Sequence, residues 1–235
     1  MSGRGRGNNT WISPSGCLQS STFLRHPITS VAPVVFIQYL VTLSLVESIR
    51  SRPGYKDIPL NIKWPNDLYT VSPGEGVGSP PVMKKIGGLL VTSSTDRNYF
   101  NLVMGFGINV DNPMPTTSIN SLINEYNKKN NKRVPNISLE EMLAIYLEKM
   151  EEFYKMFLMS GFAPFESLYY KYWLHTGQVV NLKNYDYAQV RIKGISLETG
   201  HLIAESVSGP KVVYDLHPDG NSFDFISGLI GKKQT

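Results

Sequence analysis

The tightest constraint on this fold is a pair of long apolar runs, about Lys85–Thr92 and Tyr99–Val110. Both read as strands, and their near-continuous apolar character predicts a sheet covered on at least one face. Glycine interrupts each run, at Gly87-Gly88 and at Gly105-Phe106-Gly107. Glycine weakens a strand interior unless something must approach the backbone closely. Alternate glycines on one strand face open a slot where a flat group can lie, although a bulged core strand is the commoner origin of a lone Gly-x-Gly.

The surrounding elements follow from periodicity and punctuation. Ser30 is placed to cap a helix running to about Ile49, with Ala32, Val35, Tyr39, Val46 and Ile49 at helical spacing. The stretch from Val31 to Val46 is apolar, but it is shorter than a membrane span and carries Gln38, Thr42 and Ser44, so it reads as a buried helix. Leu60–Trp64 is a short strand stopped by Pro65, and Asp67–Val71 is the next one. Residues 72–82 are rich in Gly, Pro and Ser and read as a flexible surface insertion. The Lys/Asn-rich end of Ile119–Asn131 reads as solvated. Ser138 and Glu141 predict a capping box opening a helix to about Met159, and another helix is expected over Pro164–Leu174. After Thr176-Gly177 the period falls to about two, with turns at residues 184–186, 198–200 and 208–210; these are the marks of a small barrel.

With 41% hydrophobic residues and 11% aromatics the chain can build a core, which excludes global disorder. The formal charge of +4 suits anionic small molecules or acidic protein partners and falls short of a nucleic-acid-binding signature. Cys17 is the single cysteine, so no disulfide forms within the chain, which fits a reducing, cytoplasmic setting. The first residues lack the apolar run of a secretory signal.

Four segments suit chemistry. In Gly3-Arg4-Gly5-Arg6-Gly7-Asn8-Asn9-Thr10-Trp11 the glycines let backbone N–H groups approach an anion and the arginines add fixed charge; a disordered Arg/Gly tail touching RNA is the competing explanation. In Lys63-Trp64-Pro65-Asn66-Asp67 the proline fixes a turn from which Asn66 and Asp67 offer oxygens that suit Mg2+; an ordinary capped turn has the same composition. In Lys84-Lys85-Ile86-Gly87-Gly88 a phosphate or carboxylate beside Lys85 explains both the lysine and the glycines, and so does an edge strand with a gatekeeping lysine. In Gly105–Val110, Asn109 stands at a strand end where it can bond a ribose or phosphate.

Together and in this order, the segments resemble the biotin–protein ligase (holocarboxylase synthetase) family. Its arginine loop G-R-G-R-x-x-x-x-W stands at Gly3 to Trp11, its K-W-P-N-D unbroken at Lys63 to Asp67, its K-[LI]-x-G-[IL]-L at Lys85 to Leu90, and its G-x-G-[IL]-N at Gly105 to Asn109. The resemblance implies an α+β fold: a mixed sheet with flanking helices of the class II synthetase-like, biotin/lipoate ligase type over residues 1–175, then a small SH3-like barrel over 176–235.

The resemblance also implies the chemistry. Biotin and ATP form biotinyl-adenylate, and a lysine of a carboxylase acceptor domain then takes the biotin, with Mg2+ accompanying ATP. Carried over by motif, Lys85, Arg6 and Asp67 are catalytic. Gly3, Arg4, Arg6, Lys85, Gly87, Gly88, Gly105 and Gly107 bind biotin. Lys63, Asn66, Asp67 and Asn109 bind nucleotide, and Asp67 holds the metal. Trp64 supports its turn by packing. Neither nucleic acid nor membrane is an implied partner. The family carries a strand and helix with a Ser/Thr-rich biotin-binding segment before the arginine loop, so an N-terminally truncated catalytic domain is expected here. The family's loop often has a further arginine where Asn8 and Asn9 stand. A lipoate-type ligase and an inactive ligand-binding fragment are the competing functions.

Overall fold

The computed structural model describes residues 2–5, 10–74, 76, 78–218, 221–224 and 228–232. The chain divides into two units, Met1–Tyr172 and Trp173–Thr235.

The first unit is built on five antiparallel strands: β3 (Cys17–Pro27), β4 (Asn61–Lys63), β5 (Asp67–Ser72), β6 (Val82–Asp96) and β7 (Tyr99–Asn109). Their order is β3-β7-β6-β5-β4. A separate small pair, β1 (Ser2–Arg4) and β2 (Thr10–Ile12), brings Gly3 opposite Trp11. The two long apolar runs are β6 and β7, paired from Gly87↔Ile108 to Asp96↔Tyr99.

Among the described residues four α-helices complete the unit: α1 (Ile37–Arg50), α2 (Ile119–Asn130), α3 (Leu139–Ser160) and α4 (Glu166–Tyr172). Eleven of the 14 residues of α1 are buried, which makes it the central core helix. Among the described residues no helix is long and apolar enough to cross a membrane. The helix begins later than Ser30 because Pro33 is extended, with ψ 134°; a 3-10 turn at Val34–Phe36 leads into α1.

Met142, Tyr146, Met150, Phe153 and Phe157 recur every three or four residues and form the buried stripe of α3. Each gains about 1.5–3 kcal/mol on leaving water. Tyr146 meets Phe106 of β7 edge-on at 4.8 Å, and Ser44 of α1 reaches the Met150 sulfur at 3.6 Å. Ser138 caps α3 through the Glu141 N–H at 3.1 Å, but the Glu141 carboxylate accepts from Arg52 at 2.5 Å instead of turning back. The reciprocal capping box belongs to α2, between Ser118 and Ser121. The first turn of α2 is buried, and only its later part is the solvated stretch that composition predicts.

These helices leave one sheet face open. On β7, Leu102, Met104, Phe106 and Ile108 point into the core, while Val103, Gly105 and Gly107 point the other way. His26, near the end of β3, is fully buried; its ring bonds the Ala32 carbonyl at 2.8 Å and the Tyr154 hydroxyl of α3 at 3.0 Å.

The second unit carries β8 (Val179–Leu182), β9 (Ala188–Ile195), β10 (Leu202–Ser206), β11 (Val213–Leu216), β12 (Asn221–Asp224) and β13 (Leu229–Lys232), in the order β11-β10-β9-β8-β13-β12. Val190 and Ile192 of β9 are buried and alternate with exposed Arg191 and Lys193, the period-two pattern that marks these strands in the sequence. The α+β class stands. The mixed pairing sits in this second sheet, where β13 runs parallel to β8, and the sheet of the first unit is antiparallel throughout.

Candidate active site

Lys63 ends β4 and Asp67 begins β5, so the Lys-Trp-Pro-Asn-Asp segment is the tight turn joining them, with a cis Trp64–Pro65 bond. Trp64 is buried and its indole N–H donates to the Tyr39 hydroxyl on α1 at 3.0 Å. Asn66 is 5% exposed. Its side-chain amide donates to the Leu89 carbonyl at 2.5 Å, and its own carbonyl accepts from the Leu89 N–H at 3.0 Å. The turn is thus pinned to α1 by Trp64 and to β6 by Asn66. Its two ends put Lys63 and Asp67 directly opposite one another. The amide nitrogen of Asn66 is committed to the scaffold.

A bulge decides where Lys85 points. Tyr69 pairs with Lys85, but Leu68 pairs with Gly87, so Ile86 is an extra residue on β6. Simple alternation places Lys85 and Gly88 on opposite faces, being three residues apart. The inserted Ile86 restores them to the same one. Lys85 Nζ then reaches Asp67 Oδ1 at 2.7 Å, with side-chain exposures of 39% and 26%. At that exposure the pair contributes no more than about 1 kcal/mol to stability; its interest is positional. Lys63 Nζ lies 5.1 Å from the Tyr69 ring centre. Burial pushes the Tyr69 phenol up to about 12, with the Asp67 carboxylate adding to the shift, so it stays protonated at neutral pH.

The glycines divide into two kinds. Gly88 of β6 and Gly107 of β7 are direct partners, and Gly105 faces Leu90 on one side and Ser21 of β3 on the other. A Cβ at Gly88 would stand 2.8 Å from Asp67 Oδ1 and 3.2 Å from Lys85 Nζ. Gly88, Gly105 and Gly107 therefore make a bare patch beside the ion pair. Gly87 pairs with core-facing Leu68, and its Cβ would meet the Gly107 carbonyl at 2.8 Å. Its role is close strand packing rather than room on the open face.

Trp11 covers the patch. A Cβ at Gly107 would lie 2.5 Å from Trp11 Nε1 and 2.7 Å from Cε2. The indole N–H donates to Cys17 Sγ at 3.4 Å, and the ring centre is 5.8 Å from Lys85 Nζ. The slot expected for a flat group thus holds a flat group of the chain's own. Sequence reasoning assigned neither Trp11 nor Cys17 a role here; the fixed position of the tryptophan behind the arginine loop was the available signal. Gly3 is in β1 beside Trp11, and Arg4 follows on that strand. Arg6 lies outside the described residues. Asn109 is buried at the far end of β7, paired in register with Cys17, and its amide donates to the Thr117 carbonyl at 3.3 Å.

Lys63, Asp67, Lys85, Gly88, Gly105, Gly107 and Trp11 therefore share the open face, while Asn66 and Gly87 turn inward. No cluster of three or more metal-ligating side chains occurs among the described residues. Asp67 alone is too small a donor set for a resident metal, and would suit only a cation most of whose ligands come from elsewhere.

A helix-backed antiparallel sheet thus carries a glycine patch and flanking lysines on its open face, with the start of the arginine loop on the small strand pair beside Trp11. Residues 1–109 match the biotin/lipoate A/B protein ligase family. The chain is 40% identical over 241 residues to a biotin–protein ligase of Schizosaccharomyces pombe, covering 98% of this chain and 38% of that protein. It is 39% identical over 241 residues to biotin–protein ligase 2 of Arabidopsis thaliana, covering 99% of this chain and 67% of that protein. The chain belongs to the biotin/lipoate A/B protein ligase family. A solved structure of the biotin protein ligase from Aquifex aeolicus, in complex with biotin and ATP, shares the fold with a TM-score of 0.60 at 22% identity, over 99% of this chain and 84% of that one. The chain spans well under half the length of the Schizosaccharomyces pombe relative and 30% of a human biotin–protein ligase.

Proposed function

We propose that this chain performs ATP-dependent attachment of biotin to a lysine of a carboxylase acceptor domain, through biotinyl-adenylate. The observation that carries the reading is the Lys85–Asp67 pair standing directly beside the Gly88/Gly107 patch. Once Trp11 moves off Gly107 the patch admits a ligand to backbone contact, and the ammonium stands where a carboxylate and a phosphate must be brought together. The named biotin–protein ligases among the relatives support the choice of biotin.

In the first step a biotin carboxylate oxygen attacks the α-phosphorus of ATP, the bond to the bridging oxygen breaks, and pyrophosphate leaves. Two anions meet, so the reaction needs fixed positive charge that is already oriented. Lys85 supplies it at the reacting oxygens, and Lys63 supplies it towards the nucleotide. Arg4 and Arg6 close over the bound ligand. Gly3, Gly88, Gly105 and Gly107 keep its path clear, with Gly87 seating β6 on β7. Asn66 and Asn109 shape the two ends of the nucleotide site. Magnesium carried on the phosphates would neutralise their charge, and Asp67 is the carboxylate that would hold it.

In the second step the acceptor lysine amine attacks the acyl carbon, AMP leaves, and the amine loses a proton. After pyrophosphate has left with its magnesium and the adenylate phosphate draws Lys85 away, Asp67 is free to take that proton.

Residues 1–175 form the catalytic domain in this reading, and residues 176–235 an SH3-like accessory domain. The single cysteine supports a cytoplasmic setting. Transfer of labelled biotin to an acceptor domain, run beside labelled lipoate, tests the proposal: biotin transfer alone supports it, and lipoate transfer, or none, rejects it.

A further inference from the structure

The Lys/Asn-rich end of α2 is left unused by this reading, yet it is a built structure and not a frayed one. Asn131 takes the left-handed conformation, φ 50°, that stops the helix. Asn127 then grips the returning chain with both ends of its amide: Oδ1 accepts from the Val134 N–H at 2.9 Å, and Nδ2 donates to the Val134 carbonyl at 2.8 Å. The Lys132 N–H bonds the Asn127 carbonyl at 3.1 Å. The Tyr55 hydroxyl donates to the Pro135 carbonyl at 2.9 Å, tying this turn to the segment after α1.

Between the two segments lies a cleft of about 430 Å³, lined among others by Lys56, Lys132, Arg133, Asp57, Tyr126 and Pro135. Three cations thus face one carboxylate, and Lys128 and Lys129 stand in the last turn of α2 at the same end. None of these five cationic side chains forms an ion pair among the described residues, and Glu141 nearby is already taken by Arg52. The helix dipole accounts for Lys128 and Lys129. It does not account for Lys56, Lys132 and Arg133, which lie beyond the helix on a locked backbone where like charges repel. Cations distributed over two segments, with a tyrosine and a proline between them, match an extended carboxylate-rich peptide better than a single small anion. Asp57 is six residues before Lys63, so the cleft wall and the open face are at most about 22 Å apart along the chain. One partner domain spans that distance.

We propose that this cleft docks an acidic segment of the protein acceptor while its target lysine enters the open face. The inference rests on the ligase reading above, and it extends that reading to how the acceptor is recognised.

The two half-reactions separate the claims. In the full chain, a Lys132→Glu/Arg133→Glu variant keeps biotin-dependent pyrophosphate release within about twofold of the parent, while its KM for the acceptor domain rises about tenfold or more. Between about 50 and 300 mM NaCl the parent's KM rises and the variant's does not. Lys132→Arg/Arg133→Lys behaves as the parent. A fluorescent hexaglutamate peptide binds the parent and not the charge-reversed variant, and inorganic phosphate at equal concentration does not displace it. An unchanged acceptor KM, or displacement of the peptide by phosphate, overturns the docking proposal. If the parent forms no adenylate, the ligase reading fails, and peptide binding still decides whether the cleft is an acidic-segment site.

Discussion

Replacing Gly88 by alanine adds one methyl group at the point where the two proposed catalytic charges meet. The new Cβ would stand 2.8 Å from Asp67 Oδ1, 3.2 Å from Lys85 Nζ and 3.3 Å from Lys85 Cε. Both neighbours are ends of side chains, so they yield by roughly half an ångström and the backbone stays. The 2.7 Å ion pair cannot keep its geometry. Loss of a half-exposed pair costs up to about 1 kcal/mol, and exchanging a strand glycine for alanine returns about 0.5–1 kcal/mol. The net change in stability is therefore within about 1 kcal/mol, a shift in Tm of no more than about 4 °C for a unit of this size. Catalysis is far less tolerant, because misplacing a reacting group by about 1 Å costs on the order of 100-fold. Thermal melts beside biotin-dependent pyrophosphate release measure both quantities on one preparation. Gly88→Ala with parental stability and parental adenylation would refute the reasoning, since the pair would then have moved without consequence.

Gly87→Ala is the opposite case: its Cβ would meet a backbone carbonyl, Gly107 O, at 2.8 Å, so the melt drops by about 1–3 kcal/mol, and an unchanged melt contradicts the packing role. Any ligand lying on Gly107 must displace Trp11, so indole emission changes on adding biotin and ATP, and Trp11→Phe abolishes that change; an identical response in the variant places the ligand elsewhere. Burial lowers the pKa of His26 below its ordinary 6.5, against a smaller opposite pull from the Ala32 carbonyl. The unfolded chain therefore binds the proton first, so the stabilisation is complete above about pH 6.5 and is lost as pH falls towards the folded pKa. Urea midpoints between about pH 5 and 8 should show that slope, and His26→Gln should flatten it relative to the parent.

The strands and the turn between β4 and β5 are legible because they rest on local signals: long apolar runs for β6 and β7, and Pro65 as a stop before Asp67. What stays hidden depends on contacts across the fold. Strict alternation cannot anticipate the extra Ile86, and without it Lys85 and Gly88 would face opposite ways. Asn66 reads as an oxygen donor beside Asp67, and only the fold adds that its amide nitrogen bonds the Leu89 carbonyl of another strand. Glu141 reads as half of a capping box, but Arg52, which is distant in sequence, takes its carboxylate. The helix predicted from Ser30 starts after Pro33, a local signal that an apolar 3–4 spacing overrode. Trp11 over Gly107 follows from the pairing of β1 with β2, two three-residue strands too short to announce themselves. The strand glycines are legible as glycines; only the register separates Gly88, on the open face, from Gly87, beneath it.

In the proposed reaction the open face activates biotin, with Lys85 as the group holding the reacting anions together. Biotin-dependent exchange of labelled pyrophosphate into ATP, compared between the parent chain and Lys85→Gln, tests it most directly. Exchange by the parent is expected only when biotin is present, and at least about 100-fold less in the variant, which melts like the parent. Parental exchange by Lys85→Gln, or exchange that proceeds without biotin, would contradict it.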